Sequence, residues 1–166
     1  KADWSKEYTE LKSILTPDEY ASARASTLNA HFTSYTVINS IYSALDNMGF
    51  KGGKILEPAL GTGNFFGSMP EEMRNNSKLS GVELDSITGR IAKLLYPSAN
   101  IQVKGYENTA FENNSFDVAV SNVPFGSYKI NDKDYNNHNM YIHDYFFAKT
   151  LDKVRPGGII AFVTSK

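Results

Sequence analysis

The sequence predicts an α/β fold in which helices cover a mostly parallel sheet. From Lys54 onward, short apolar runs alternate with stretches of helical periodicity, which is the pattern of successive strand-helix-strand units. A Gly-x-Gly turn follows the first of these runs, at the point where open α/β sheets bind ligands. With 166 residues, the chain is long enough to build one hydrophobic core.

Residues 1–50 form the predicted N-terminal helical segment. Thr16 and Glu19 make a capping box at a helix start, and the Ala-rich residues 20–29 continue that helix. A second predicted helix is capped by Ser34. The apolar stripe of this helix, at helical spacing, consists of Val37, Ile38, Ile41, Tyr42 and Leu45.

Residues 51–166 form the predicted core that contains the sheet. The apolar runs predict five strands, at 54–57, 79–83, 101–103, 116–121 and 159–164. Helical patterns between the strands predict helices at 64–75, 86–95 and 140–154. Residues 127–139 have no periodicity and are expected to form a surface loop of functional length.

Composition and charge exclude several classes of protein. The content of hydrophobic residues is 41% and of charged residues 21%, which is typical of a globular domain and not of a disordered chain. The apolar runs are far shorter than the roughly 18 residues of a membrane span, so we expect no membrane partner. The expected location is cytoplasmic, which is consistent with the absence of cysteine. Because there is no cysteine and the three histidines are far apart, we expect no metal site. The net charge of −1 predicts no broad basic surface for nucleic acid.

The Gly-x-Gly turn is the first candidate cofactor site. Gly61 and Gly63 follow the first predicted strand, where they allow the backbone to approach a ligand closely. Phe66 occupies the place of the third glycine in a dinucleotide fingerprint, which argues against NAD. Glu57, at the end of the strand, also argues against NAD because a carboxylate repels a pyrophosphate.

A second acid, Glu83, ends the second predicted strand. Its spacing from Gly63 fits an acid that accepts hydrogen bonds from the two hydroxyls of a ribose. The alternative for Glu83 is a role in capping the next helix. Two acids and a glycine turn together favour S-adenosylmethionine as the cofactor, because this molecule has a sulfonium, an ammonium group and a ribose diol but no phosphate.

The fourth predicted strand leads directly into Asn122-Val123-Pro124-Phe125. This motif resembles the Asn-Pro-Pro-Tyr/Phe motif of the amino-methyltransferases, which ends their fourth strand. A planar amino nitrogen is a poor nucleophile, so we hypothesise that the Asn122 side-chain oxygen and the Val123 carbonyl accept its two N–H hydrogens. Pro124 would stiffen the turn and Phe125 would stack on a flipped base. Alternatively, the motif only ends a strand and fills the core.

Val123 departs from the family, which has a proline there, but a role carried by a backbone carbonyl can survive that change. The resemblance covers about residues 32–166 and is to the N6-adenine DNA methyltransferases that use S-adenosylmethionine. It implies a Rossmann-like class I methyltransferase core, which is a three-layer sandwich. The cofactor-binding residues that it implies are Thr33, Glu57, Pro58, Ala59, Gly61, Gly63, Asn64, Glu83, Leu84, Glu107 and Asn122.

Two of these assignments have alternatives. Thr33 is expected to hold the methionine carboxylate of the cofactor, but it could instead be a helix N-cap. The acid that recognises the cofactor's adenine is expected at Tyr106, whereas the carboxylate stands one residue later, at Glu107. An insertion or a bulge of one residue would reconcile the two positions.

The resemblance also implies partners. The substrate is expected to be DNA with an adenine flipped into the site, and Lys129 and Lys133 are candidate phosphate contacts unless their loop is simply solvated. Family members have seven strands, so we expect a core truncated after its fifth strand, with the remaining strands and a recognition domain beyond Lys166. Together with the stretch from His143 to Phe147, the motifs resemble the methylase part of large mobile-element or restriction-modification proteins, often joined to helicase domains.

Two other functions stay open at this point. Release-factor glutamine methyltransferases have a similar Asn-x-Pro-aromatic site and act on a glutamine amide in a protein. The chain could also be an S-adenosylmethionine-binding module that has lost catalysis, with Val123 as the mark of that loss.

Overall fold

The computed structural model describes residues 4–21 and 32–164 of the chain. Its centre is a parallel sheet of five strands in the order β3-β2-β1-β4-β5. The strands are β1 (Lys54–Glu57), β2 (Lys78–Glu83), β3 (Asn100–Val103), β4 (Phe116–Asn122) and β5 (Val154–Val163). The chain moves outward from β1 to β3 and then returns to the other side of β1, so the topological switch point lies between β1 and β4. The predicted α/β fold with a parallel sheet is confirmed.

Six α-helices that lie entirely within the described residues surround or precede this sheet. They are α1 (Ser5–Ile14), α2 (Tyr35–Asn47), α3 (Asn64–Ser68), α4 (Glu71–Asn75), α5 (Ser86–Leu95) and α6 (Ile142–Lys153). Residues 17–21 are also helical, and the predicted capping box is present, since Thr16 N–H donates to Glu19 and Glu19 N–H donates to Thr16. Most of the predicted Ala-rich helix, residues 22–29, lies outside the described residues. None of the described helices has the length and apolar character needed to span a membrane.

Several predicted boundaries were wrong. The helix predicted at 64–75 is two short helices, α3 and α4, because Pro70 has no N–H and cannot continue the first one. The last predicted helix begins two residues later than expected, at Ile142. Strand β5 begins at Val154 instead of 159, and β4 includes Asn122. Helix α1 was not predicted, and none of its residues is buried.

Helices pack on both faces of the sheet and make three layers. On one face, α2 buries Ile38, Tyr42 and Leu45 against β1 and β4. On the other face, α6 buries Ile142, Tyr145 and Phe146 against residues that include Leu56 of β1 and Ala119 of β4. Successive strand residues face opposite layers, so Ile55 joins the first cluster and Leu56 the second. Of the predicted α2 stripe, Val37 is exposed.

Candidate active site

The carboxyl ends of β1, β2 and β4 bring three predicted site residues to one edge of the sheet. Glu57 is the last residue of β1, Glu83 the last of β2 and Asn122 the last of β4. The strands are parallel, so these ends lie at the same edge, beside the switch point where open sheets bind ligands. Ser121 Oγ donates to the Ala59 carbonyl at 3.3 Å and so joins β4 to the turn that follows β1.

Glu57 is a buried acid without a full set of partners. It is 2% exposed, and its Oε2 atom has no hydrogen-bond partner. Burial, and then the nearby charge of Glu83, raises the pKa of the Glu57 carboxyl well above its ordinary value. A buried carboxylate in this condition is costly unless a ligand or cation completes its bonding.

Glu83 holds the glycine turn in place. One of its carboxylate oxygens accepts the Gly61 N–H at 2.7 Å and the other accepts the Asp85 N–H at 2.7 Å. Burial raises the pKa of Glu83, and these two backbone hydrogen bonds act in the opposite direction. Helix α5 is capped by Asp85, whose side chain accepts the Thr88 N–H, so capping is not the task of the Glu83 carboxylate.

Gly61 and Gly63 differ in what surrounds them, so a side chain at each position would have a different effect. Both have left-handed backbone angles, with φ of +58° at Gly61 and +85° at Gly63. A side chain at Gly63 would overlap the ring of Tyr96, whose hydroxyl donates to the Gly63 carbonyl at 2.8 Å. A Cβ at Gly61 would have no atom within 4 Å. Gly63 is therefore required by internal packing, whereas Gly61 faces the space in which a ligand can lie.

The start of α2 lies close to this turn. Burial, then the neighbouring Glu57 and Tyr35, raises the pKa of Tyr96, which packs on Gly63. Ser34 caps α2, because its Oγ accepts the Val37 N–H at 3.4 Å. The hydroxyl of Thr33 is thus not used as the cap, and it is buried without a hydrogen-bond partner.

Three buried side-chain atoms lack a hydrogen-bond partner within residues 4–21 and 32–164: Thr33 Oγ1, Glu57 Oε2 and His143 Nδ1. Two of the three belong to residues that were predicted to bind the cofactor. A carboxylate oxygen without a partner suits a cationic group, and a hydroxyl without a partner can donate to an anionic one. An amino acid moiety carries both kinds of group.

The other predicted cofactor residues lie along the same edge or next to it. Pro58 is buried and Ala59 half-buried in the turn, and Asn64 begins α3, where its Oδ1 accepts the Thr62 hydroxyl at 3.3 Å. Leu84, directly after Glu83, is 76% exposed, which is unusual for a large apolar side chain at the end of a central strand.

Glu107, and not Tyr106, offers a carboxylate after β3. Both residues lie in the 3₁₀ turn Tyr106–Asn108. The Tyr106 ring is buried against Tyr145 and Phe146. The Glu107 carboxylate is half-buried, lies over Gly105 and accepts the Asn108 side-chain amide at 2.8 Å.

The Asn-x-Pro-Phe motif, residues 122–125, continues from β4. Val123 is 1% exposed and belongs to the same cluster as Ile142 and Tyr145 of α6. Its N–H donates to the Val163 carbonyl of β5 at 3.1 Å. Phe125 is 36% exposed, so the alternative in which this ring fills the core does not hold. Only Val123 of the motif serves as a core residue.

Two buried features were not predicted from the sequence: an ion pair and a histidine nitrogen. Asp132, in the segment 127–139, pairs with Lys149 of α6, although this segment was expected to be a surface loop. The signal was present, since Lys149 follows Ile142, Tyr145 and Phe146 at helical spacing on the apolar stripe. His143 Nδ1 gave no signal in the sequence. Among the described residues, no cluster of three or more His, Asp or Glu could hold a metal ion.

Comparisons with known proteins point to one family. The family model described as N-6 DNA Methylase matches residues 15–166. A curated relative, the defense against restriction protein B of Escherichia phage P1, is 30% identical over 143 residues; the match covers 82% of this chain and 6% of that protein. The chain thus spans a small part of this relative's length.

Solved structures show the same fold. One is the modification subunit assigned to a type I restriction enzyme from Vibrio vulnificus, with a TM-score of 0.59, 18% identity and coverage of 80% of this chain and 34% of that one. Another is an S-adenosylmethionine-dependent O-methyltransferase from Thermotoga maritima, with a TM-score of 0.57, 16% identity and coverage of 80% and 44%. At this identity the likeness establishes the Rossmann-like methyltransferase fold. With the family match over most of its length, the chain belongs to the N-6 DNA methylase family.

Proposed function

We propose that this chain is the S-adenosylmethionine-binding core of a cytoplasmic enzyme that transfers a methyl group to the N6 amino group of adenine in DNA. Within it, residues 51–166 form the methyltransferase core and residues 1–50 a helical segment that precedes it. The observation that carries the proposal is the buried Glu57, whose unpaired oxygen lies at the same sheet edge as Asn122. In this proposal, a site for a cation and a site for an amino group meet at the switch point.

The residues at this edge fit the chemistry of the cofactor. S-adenosylmethionine supplies an electrophilic methyl group on a sulfonium. Glu57 would hold the cationic methionine end, and Thr33, with its unpaired buried hydroxyl, would donate to the carboxylate. The two Glu83 oxygens accept the N–H groups of Asp85 and Gly61, and their remaining lone pairs would serve the ribose hydroxyls. The exposed Leu84 would pack on the adenine ring.

The acceptor side is built from the Asn-x-Pro-Phe motif. We assign to the Asn122 side-chain oxygen and the Val123 carbonyl the two N–H hydrogens of the adenine amino group. As the new N–C bond forms, the bond between the methyl carbon and the sulfonium sulfur would break, its electron pair would stay on sulfur in S-adenosylhomocysteine, and one of these hydrogens would leave as a proton to water. The bond from Val123 N–H to Val163 stiffens the backbone where other family members have a proline ring, and this observation favours an active site over a degenerate one.

The partners in this proposal are DNA and further domains of the same protein. Phe125, which is partly exposed, would stack on the flipped adenine. The phage relative is named for defense against restriction, and the Vibrio structure is a restriction-enzyme modification subunit, which supports a role in DNA modification. Because the chain has a net charge of −1, we assign most phosphate contacts to a recognition or helicase domain outside this sequence.

The proposal is tested by the identity of the methylated product. The full-length protein is incubated with S-adenosylmethionine and adenine-containing DNA, and nucleosides and protein hydrolysates are analysed by mass spectrometry. We expect N6-methyladenine, and a loss of at least about 100-fold in rate for Asn122→Ala, the order seen when one donor or acceptor to the reacting group is removed. Asn75→Ala, an exposed asparagine in α4, is the matched control and should retain full activity.

Other outcomes would redirect the assignment. Methylglutamine in the protein hydrolysate without N6-methyladenine would support the glutamine-amide alternative. Cofactor binding without any methyl transfer would support an inactive module. Activity that survives Asn122→Ala would contradict the acceptor mechanism.

A further inference from the structure

The segment that follows the Asn-x-Pro-Phe motif is fixed at its middle by a buried ion pair. The Asp132 carboxylate accepts hydrogen bonds from Lys149 Nζ at 2.8 Å and from the Tyr145 hydroxyl at 2.7 Å. The two charged side chains are only 5% and 6% exposed. Burial alone would raise the pKa of Asp132, but the hydrogen bonds from Lys149, Tyr145 and the Asp134 N–H lower it overall. Asp132 is therefore an anion that attaches residues 127–139 to α6.

Lys149 also contacts the turn on the cofactor side of the site. Its Nζ donates to the Glu107 carbonyl at 3.4 Å and lies 5.1 Å from the centre of the Tyr106 ring. The Tyr106 ring in turn packs on Phe146, with 5.1 Å between ring centres. The Tyr106–Asn108 turn and the 127–139 segment thus rest on the same few residues of α6.

Stability alone does not account for this pair. A buried ion pair adds little net stability over a well-packed apolar pair of similar volume, since both charges lose their hydration. Lys149 occupies a position on the α6 stripe where an apolar residue would pack on the core. The charged side chains instead form directional hydrogen bonds, which fix the positions of two separate chain segments relative to one helix.

We propose that Lys149 and Asp132 are positioning residues that couple the cofactor side of the active site to its acceptor side. The inference rests on the proposed function, in which the motif before residues 127–139 receives the DNA base, and on the contact with the cofactor's adenine that the family resemblance implies for Glu107. A cofactor that orders the Glu107 turn holds Lys149 where it bonds Asp132. The acceptor loop is then ordered before DNA arrives. By linkage, DNA must tighten cofactor binding by the same factor.

The test measures the factor by which DNA tightens cofactor binding. S-adenosylhomocysteine is titrated calorimetrically into the full-length protein, with and without saturating mixed-sequence duplex DNA. The test variant is the double substitution Asp132→Asn and Lys149→Met, which removes both charges at nearly constant volume and leaves an acceptor for Tyr145. Lys153→Met, at the end of the same helix, is the control, because the Lys153 ammonium donates to Asn113, which lies in neither segment.

We expect DNA to tighten cofactor binding at least about fivefold in the wild type and in the control, the lower end of ordinary coupling. In the double variant the ratio should fall to about one, while the affinity for cofactor alone changes less than about twofold. Tyr145→Phe removes only one bond to Asp132 and should give an intermediate ratio, which keeps the test decisive if the double variant does not fold.

Different experimental results would overturn this inference and the proposed function. If the wild type binds cofactor and DNA but shows no coupling, or if the double variant keeps the wild-type ratio, the coupling role is overturned and the methyltransferase proposal stands. If the wild type binds no cofactor at all, both are overturned.

Discussion

Glu57→Gln should stabilise the protein without cofactor and weaken cofactor binding. In the unfolded chain Glu57 loses its proton near its ordinary pKa of 4.5, whereas burial keeps the proton on the folded chain to a much higher pH. Above pH 4.5 the unfolded state therefore binds fewer protons than the native state. The free energy of unfolding must fall as the pH rises, by at most about 1.4 kcal/mol per pH unit for one proton, until the raised pKa is passed.

Glutamine does not titrate, so Glu57→Gln should lack this decrease of the unfolding free energy with rising pH. We expect the variant to equal the wild type in stability near pH 4 and to exceed it at neutral pH by about 1–3 kcal/mol, the cost of burying a polar group without partners. Urea unfolding of the cofactor-free protein at several pH values measures the difference. Glu71→Gln, at an exposed acid in α4, is the control and should follow the wild type at every pH.

Cofactor affinity should change in the opposite direction. Removing a charged hydrogen-bond partner costs about 1.5–3 kcal/mol, so we expect S-adenosylmethionine to bind about 10- to 150-fold more weakly to Glu57→Gln. Calorimetric titration gives this value. A variant that is less stable than the wild type at pH 7, or that binds the cofactor as tightly, would refute the interpretation of Glu57 as a binding group held in an unfavourable environment.

Three further expectations concern the glycine turn. Gly63→Ala should lower the free energy of unfolding by more than about 3 kcal/mol, because it combines the strain of a left-handed backbone with a clash against Tyr96. Gly61→Ala should lower it by only about 1 kcal/mol and should weaken cofactor binding. Equal losses of stability in urea unfolding would contradict the packing described for the two positions. Tyr96→Phe should cost about 1 kcal/mol through its bond to Gly63, and an unchanged unfolding midpoint would exclude that role. Glu83→Ala should abolish measurable cofactor binding and cost about 2 kcal/mol, because two backbone N–H groups lose their acceptor; retained affinity in a titration would argue against a ribose contact.

Much of the fold could be predicted from local sequence signals. Strand β1 and helix α5 have the predicted boundaries, because a short apolar run before a glycine turn and a helix that begins after Asp85 are determined by nearby residues. The early start of β5 could not be predicted, since Arg155-Pro156-Gly157-Gly158 is typical of a turn. The early start depends on Val154, which pairs with Phe116 of β4, a contact between residues distant in sequence. The register then shifts before Ile159 pairs with Val118, and Gly157 between these two pairs has a left-handed backbone, with φ of +79°.

Some features of the candidate site could likewise be predicted from the sequence, and others could not. The acids at the ends of β1 and β2 could be found because parallel strands present their carboxyl ends together. The unpaired state of Glu57 and Thr33 could not, because it depends on which neighbours α2 brings to them. The helical spacing could have indicated that Lys149 is buried, but not that Asp132 is its partner, because Asp132 lies in a loop that precedes the helix.

The hydrogen bond from Val123 to β5 makes the family's usual residue unsuitable at this position. A proline at 123 would have no N–H for the Val163 carbonyl, and it would replace a side chain that is packed in the core. The same substitution that stiffens the motif in other members would here remove two compensating contacts at once. A consensus-based redesign of this domain should therefore leave Val123 unchanged.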